Sequence, residues 1–246
     1  MRIPSREEVI RLLVEAGVAG PHRSHARADN ERAAQLVAED RGAVFGLSNL
    51  EPMAADQVLA AAAQLTGAGT PGEEFIDPEA TLAGVGAAAA RLREAAGAGA
   101  RVLLGTGHPT GMISLLMQLA LRLEAAGARV LRPLDDERLG GDGERRRIRY
   151  VGGVAVLTDG ANLLHTHAPW AMQQMLAETP RPDLVVADHG FAGAAINAGI
   201  PTITTMDSND LALAAAWAAG CEVIVIPLDD NRRPDAYLPL VPLLAP

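Results

Sequence analysis

The sequence predicts an α/β fold, Rossmann-like, with a mainly parallel sheet flanked by helices and a helical N-terminal part. Three observations predict it. Residues 1–98 show 3.6-residue apolar periodicity and no strand of convincing length. From Arg101 onward, short β-rich apolar runs alternate with helical stretches, the pattern of parallel strands joined by crossover helices. The phrases LEAAGARVL and AAAWAAGCEVIVI each end a helix at Gly and enter a buried strand. Residues 1–98 are therefore read as a helical cap or lid and 99–246 as the Rossmann-like domain.

The elements follow in order. Ser5 with Glu8 three residues later forms a capping box ahead of an apolar stripe at Val9, Leu12, Leu13 and Ala16. Further helices are expected over 29–39, 54–65 and 79–96, separated by Gly and Pro punctuation. Between the first two, PHRSHARADNER suits an ordinary helix start at Asp29. Its Arg27 and Asn30 also suit a flap over a phosphate pocket, because Arg matches phosphate geometry. Strands are expected at 102–104, 129–131, 147–151, 154–157, 184–187, 202–205 and 223–226, with helices at 112–126, 169–177, 193–198 and 211–219. The stretch 135–144, DDERLGGDGE, reads as a polar loop or hairpin insertion.

Composition excludes whole classes of chemistry. The 246 residues are 49% apolar and carry a net charge of −9, so the chain is globular and lacks the basic face that phosphate backbones require. No apolar run reaches the ~18–20 residues that cross a bilayer, and Met1 leads straight into a charged helix pattern without a leader. The single Cys221 excludes an internal disulfide framework, which favours the cytoplasm. All 21 basic residues are arginine. The missing lysine removes Schiff bases, pyridoxal phosphate linkage and the Walker A phosphate lysine.

In an open α/β sheet, ligands collect outside the carboxyl ends of the strands. The unusual polar residues fall there repeatedly: GTGHPTG at 105–111, TDGANLLHTH at 158–167, DHGFAG at 188–193, MDSND at 206–210 and LDDN at 228–231. Four of the six histidines lie in these loops. In GTGHPTG, Gly105, Thr106, Gly107, His108, Thr110 and Gly111 are read as a phosphate cradle at a helix N-terminus. The same glycines, with Asp135 or Asp136 after the next strand, also resemble a dinucleotide loop. Asp188 and Asp207 each leave a buried strand. With Asn209 and Asp210 they offer hard oxygen donors for Mg²⁺ or Mn²⁺, while imidazole from His189 or His165 favours a transition metal. One of Asn209 and Asp210 alternatively caps the following helix. His165 and His167, two apart on an extended segment, share one face and suit a metal, a phosphate or general-acid work.

MDSNDLALAAAWAAG resembles only superficially the late acidic motif of haloacid dehalogenase phosphatases. VAVLTDG offers Thr158 and Asp159 where that family needs Asp-x-Asp, which leaves Asp159 only as a supplementary site residue. No Gly-x-Ser-x-Gly elbow is present, and Cys221 opens a buried strand as a structural residue.

Together, RVLLGTGHPTG, LLHTHAPWAMQQML, PDLVVADHGFAGAAINAGI, TMDSNDLALAAA and VIPLDDN resemble a group of actinobacterial proteins that carry the general name phosphatase. The resemblance runs in order through most of the chain, including the opening IPSREEVIRLLVEAGVAG. It implies phosphomonoester hydrolysis, carried by residues 105–111, His165, His167, Asp188, His189, Asp207, Asn209 and Asp210. The resulting expectation is a metal-dependent phosphatase of a small phosphorylated metabolite. In it Asp188, His189, His165 and His167 are catalytic, and Asp188, Asp207, Asn209 and Asp210 hold Mg²⁺ or Mn²⁺. Nucleic-acid and membrane partners are not expected, and self-association is left open. The rival expectations are an NAD(P)-dependent oxidoreductase using GTGHPTG and a phosphate-ligand binding protein without turnover.

Overall fold

The computed structural model describes residues 4–21, 24–39, 44–139 and 146–246. The expectation about the opening Met1 and the distal part of the 135–144 insertion lie outside them. Helix α1 (Arg6–Glu15) starts as the sequence requires: Ser5 is extended and its hydroxyl accepts the Glu8 N–H at 3.2 Å. Ser5→Ala is expected to cost about 1 kcal/mol in a denaturant titration, the usual loss for an N-cap. An unchanged midpoint would show that the bond contributes nothing. Strand β1 (Gly20–Pro21), helix α2 (Arg27–Glu39), helix α3 (Ala55–Thr66), strand β2 (Phe75–Ile76) and helix α4 (Pro78–Gly97) follow. The two short strands pair antiparallel; the other elements described in this part are helices, as expected.

The alternating region holds β3 (Arg101–Thr106), α5 (Pro109–Ala125), β4 (Arg129–Val130), β5 (Arg147–Val151), β6 (Val154–Thr158) and α6 (Trp170–Ala177). It continues with β7 (Leu184–Ala187), α7 (His189–Asn197), β8 (Thr202–Met206), α8 (Leu211–Ala218) and β9 (Val223–Pro227). A 3₁₀ turn, Pro234–Leu240, leads into α9 (Val241–Leu244). The seven-stranded sheet runs β5-β6-β3-β7-β8-β9, with β4 also paired to β3. Every pairing is parallel except β5 with β6. That hairpin turns through Gly152 and Gly153, both at positive φ, as a two-residue turn between twisted strands demands.

Both faces of the sheet are covered, which is why its strands read as continuous apolar runs. Successive side chains go to opposite layers. Leu103, Val185 and Val225 join one core with Val37, Val58, Phe191 and Leu213. Val102, Leu104, Val186 and Ile226 join the other with Leu13, Leu92, Met112 and Leu116. Helices of the first 98 residues enter both layers, so each core is continuous across the 98/99 boundary. No helix among the described residues is long and apolar enough to cross a membrane.

The topology positions the site. From β3 the chain moves to β6 on one side, then returns through α6 to β7 on the other. Connections leaving in opposite directions open a crevice between the carboxyl ends of β3 and β7.

Candidate functional site

At that crevice Asp188 stands in the N-cap position of α7, but its side chain does not cap the helix. It is 1% exposed and turns toward β3 instead. There its carboxylate accepts the Thr106 hydroxyl and the Gly107 N–H, the latter at 2.5 Å. The Thr106 hydroxyl in turn accepts the His108 N–H at 2.9 Å. The N–H groups of Gly107 and His108 are thus already engaged, and the loop is no open phosphate cradle. The glycines answer to protein instead. A Cβ on Gly107 would lie 2.2 Å from the Thr166 carbonyl oxygen, and one on Gly111 2.2 Å from that of Asp230. Gly105 faces the Phe191 ring in the same way. Only Thr110 of this loop is exposed. Close approach of these carbonyls draws the 165–167 and 229–231 segments against β3 and α5.

His189, next along, is 3% exposed and holds φ +43°, a strained conformation for a residue with a side chain. Its Nε2 lies 3.3 Å from Asp230 Oδ2 and 3.6 Å from Asp210 Oδ1; its Nδ1 lies 3.7 Å from Asp188 Oδ1. Asp210 occupies the N-cap position of α8, yet its carboxylate accepts the Asp207 N–H rather than capping. Asp207 Oδ1 accepts the Ser208 N–H, and Asp207 Oδ2 lies 3.2 Å from both His25 Nε2 and Asn231 Nδ2. Asp229 accepts Ser24 Oγ at 2.7 Å, the Asn231 N–H at 2.9 Å and the Arg232 guanidinium. Asp230 Oδ1 lies 3.3 Å from His108 Nδ1.

Four imidazoles complete the site. His108 stacks on His165 with centroids 4.5 Å apart, and His167 lies against His189 at 4.4 Å. Nε2 of His165 meets Nε2 of His167 at 3.0 Å, so the two rings do share a face. Phe45 packs against His167 and His189, with ring centroids 5.4 and 5.5 Å away.

Burial and charge set the protonation states. Burial draws His189 down, but the Asp210, Asp230 and Asp188 carboxylates outweigh it and push the imidazole up to about 10. Burial pushes Asp210 up to about 7 against the pull of His189. Asp230 is buried too, but the His108 and His189 imidazoles hold it well below the usual carboxylate range. His108 is raised by Asp230 despite its burial, and His25 is raised by its hydrogen bond to Asp207. His167 falls to about 4 through burial and the neighbouring His189 and His165; His165 is lowered by burial, His108 and His189.

Three overlapping groups have ligand atoms within 4.8 Å of one another: His108, His165 and His189; His189, Asp210 and Asp230; Asp207, Asp229 and Asp230. Asp188 is in none of them. Asp188 and Asp207, expected to share an ion, fall in no common group; Asp188 bonds Thr106 and Gly107 of the β3 end. Asn209 is half-buried, and none of the cluster's hydrogen bonds described above runs to it. Asp159 spends its carboxylate on the Asn162 side chain and the Ala161 and Asn162 N–H groups, which lower it to about 2, so it belongs to its own turn. Asp136, the dinucleotide candidate, pairs with Arg147 and Arg149 on β5, two strands away from β3. Arg27 turns to Glu31 and the Pro71 carbonyl, whereas Asn30 is buried and accepts from Ser208. Asp229 and Asp230, in the LDDN phrase after β9, join the ligand groups, and the strand-end rule that points to Asp188 applies to them equally. Ser24 and His25 carry no local signal and reach the site from more than 200 residues away.

A family model described as Phosphatase matches residues 4–245. A curated relative, Phosphatase SCO2771 of Streptomyces coelicolor, is 35% identical over 253 residues, covering 98% of this chain and 95% of its own length.

Proposed function

The chain belongs to this Phosphatase family, and from that premise we propose that it is a metal-dependent hydrolase of small phosphomonoesters. The observation that carries the reading is the buried convergence of His189, Asp210 and Asp230 at the topological switch point. Three polar atoms there, His108 Nδ1, His189 Nδ1 and Asp230 Oδ2, are buried without a hydrogen-bond partner. Buried polar atoms left unsatisfied are costly, and an ion held beside Asp230 satisfies its Oδ2, whereas His189 Nδ1 faces Asp188 Oδ1 at 3.7 Å. One imidazole and two carboxylates fit Mn²⁺ or another first-row divalent ion, and Mg²⁺ less closely. Such an ion supplies a Lewis acid for the phosphoryl oxygens and a water of lowered pKa.

The protein's own groups supply the rest. His25 and Asn231 orient Asp207, and Ser24 and Arg232 orient Asp229. His167 stands exposed at the rim and neutral near pH 7, its Nε2 3.0 Å from Nε2 of His165. As a neutral imidazole it is a base, placed to take a proton from the attacking water. His167→Ala is expected to lower turnover by about 10²-fold, the lower range for a general base, with bound metal unchanged. A His167→Ala protein with wild-type turnover would remove His167 from that role. The reading is tested by phosphate release from aryl, sugar and nucleoside monophosphates after chelation and after return of Mn²⁺, Mg²⁺ or Zn²⁺. Full activity in excess chelator sinks the metal dependence. Saturable binding of the esters without release favours a non-catalytic protein.

A further inference from the structure

We propose that the site is a two-ion centre with unlike positions, a nitrogen-rich one framed by His108, His165, His189 and Asp210 and an all-oxygen one framed by Asp207 and Asp229, with Asp230 between them. The proposal rests on the metal-dependent reading and deepens it. Its first support is number. The three ligand groups comprise seven side chains. That exceeds the four to six positions of a zinc or magnesium ion, before any place is left for substrate. The second is the pattern of sharing. His189 links the imidazole group to the mixed group, and Asp230 links the mixed group to the carboxylate group. One ion accounts for the first two groups and leaves the third unexplained.

The third support is what faces Asp230. Its Oδ2 is buried without a hydrogen-bond partner although His189 Nε2 lies 3.3 Å away, and His108 Nδ1 is likewise unpartnered at 3.3 Å from Oδ1. These atoms are close enough to share a cation and badly aligned for bonding each other. On the oxygen side, Asn231 Nδ2 lies 3.2 Å from both Asp207 Oδ2 and Asp230 Oδ1. An amide donor spanning two carboxylates occupies the place a cation would take. Outer partners are present for the oxygen position: His25 on Asp207, Ser24 and Arg232 on Asp229. Such groups fix ligand carboxylates for metal. The donor sets also differ in kind. Imidazoles favour Fe²⁺ or Zn²⁺, whereas carboxylates alone take Mg²⁺ or Mn²⁺. Two ions in this arrangement suit the clamping of a phosphoryl group from both sides.

The test uses the full chain, stripped with chelator and titrated with Mn²⁺. Bound metal is counted by equilibrium dialysis with elemental analysis, and electron paramagnetic resonance reports the coupling between ions. The expected result is two Mn²⁺ per chain with an exchange-coupled spectrum. His165→Ala, at an exposed position, should weaken one ion by at least tenfold and spare the other. Asp207→Asn should do the reverse, and each variant should yield an uncoupled six-line spectrum at one equivalent. A wild-type protein that saturates at one Mn²⁺, or two ions indifferent to both substitutions, overturns the proposal. One bound ion with full phosphate release would overturn it and leave the hydrolase reading standing. Two coupled ions without phosphate release would support it and sink the hydrolase reading.

Discussion

Asp230→Asn is expected to reduce kcat/KM for an aryl phosphate by about 10³-fold or more in saturating Mn²⁺, equivalent to about 4 kcal/mol of transition-state stabilisation. The substitution is nearly isosteric and changes one thing, the charge that His108 and His189 both face. Asp230 is 2% exposed, so solvent does not screen the loss. The carboxylate is held ionised by those imidazoles, whereas an amide offers a metal one weak oxygen and no charge. Stability should respond less than activity. Asp230 raises its neighbours Asp188 and Asp210 by repulsion, so its removal relieves them while depriving two imidazoles of a partner. The fold is checked by a thermal transition and activity by initial rates across metal concentration. A variant that regains full turnover at higher Mn²⁺ has lost affinity alone. One that matches the wild type throughout removes Asp230 from the chemistry.

The contrast between Asp230 and Asp188 shows what was legible in the sequence. Both follow a buried strand, and the strand-end rule places both at one edge. Which of them is spent on protein depends on a neighbour in the next strand: Thr106 and Gly107 bond Asp188, and no residue type in the DHG phrase announces it. GTGHPTG was ambiguous for the same reason. A glycine records that something comes close, and here Thr166 and Asp230 carbonyls come close where a phosphate was expected. The strands and helices themselves were legible because periods of 2 and 3.6 are local properties, and the strand runs from 102 to 226 all appear in the sheet. Ser24 and His25 were not, since their partners Asp229 and Asp207 are brought to them only by the completed layers.

In chelator, the thermal midpoint is expected to fall as pH rises from about 7 to 8.5, and the gap to the metal-loaded protein to widen over the same range. The sign follows from His189. Its folded-state value of about 10 stands above the ordinary imidazole value of 6.5. Between those values the folded chain holds a proton that the unfolded chain releases. The stabilisation is therefore complete below 6.5 and is lost as pH climbs toward 10, at up to about 1.4 kcal/mol per pH unit for one proton. His25 and His108 are also raised and act in the same direction. Asp210, raised to about 7, loses stability from 3.8 upward. In the lower part of that window it is opposed by His167, which at about 4 gains stability as pH rises to 6.5. The two offset each other between about 4 and 6.5, and the decline emerges above 6.5. A metal ion reverses the slope because it needs neutral His189 and ionised Asp210, so each ion that binds displaces protons and binds more tightly as pH rises. Loaded protein then gains RT ln(1 + [L]/Kd) over the chelated form, a term that grows with pH. Scanning calorimetry at pH 6.5, 7.5 and 8.5, with chelator and with excess Mn²⁺, reads both slopes. A chelated midpoint that rises over this range would show that His189 is neutral in the folded protein. Parallel curves would show that no proton leaves when metal enters, and the ligand assignment of His189 and Asp210 would fail.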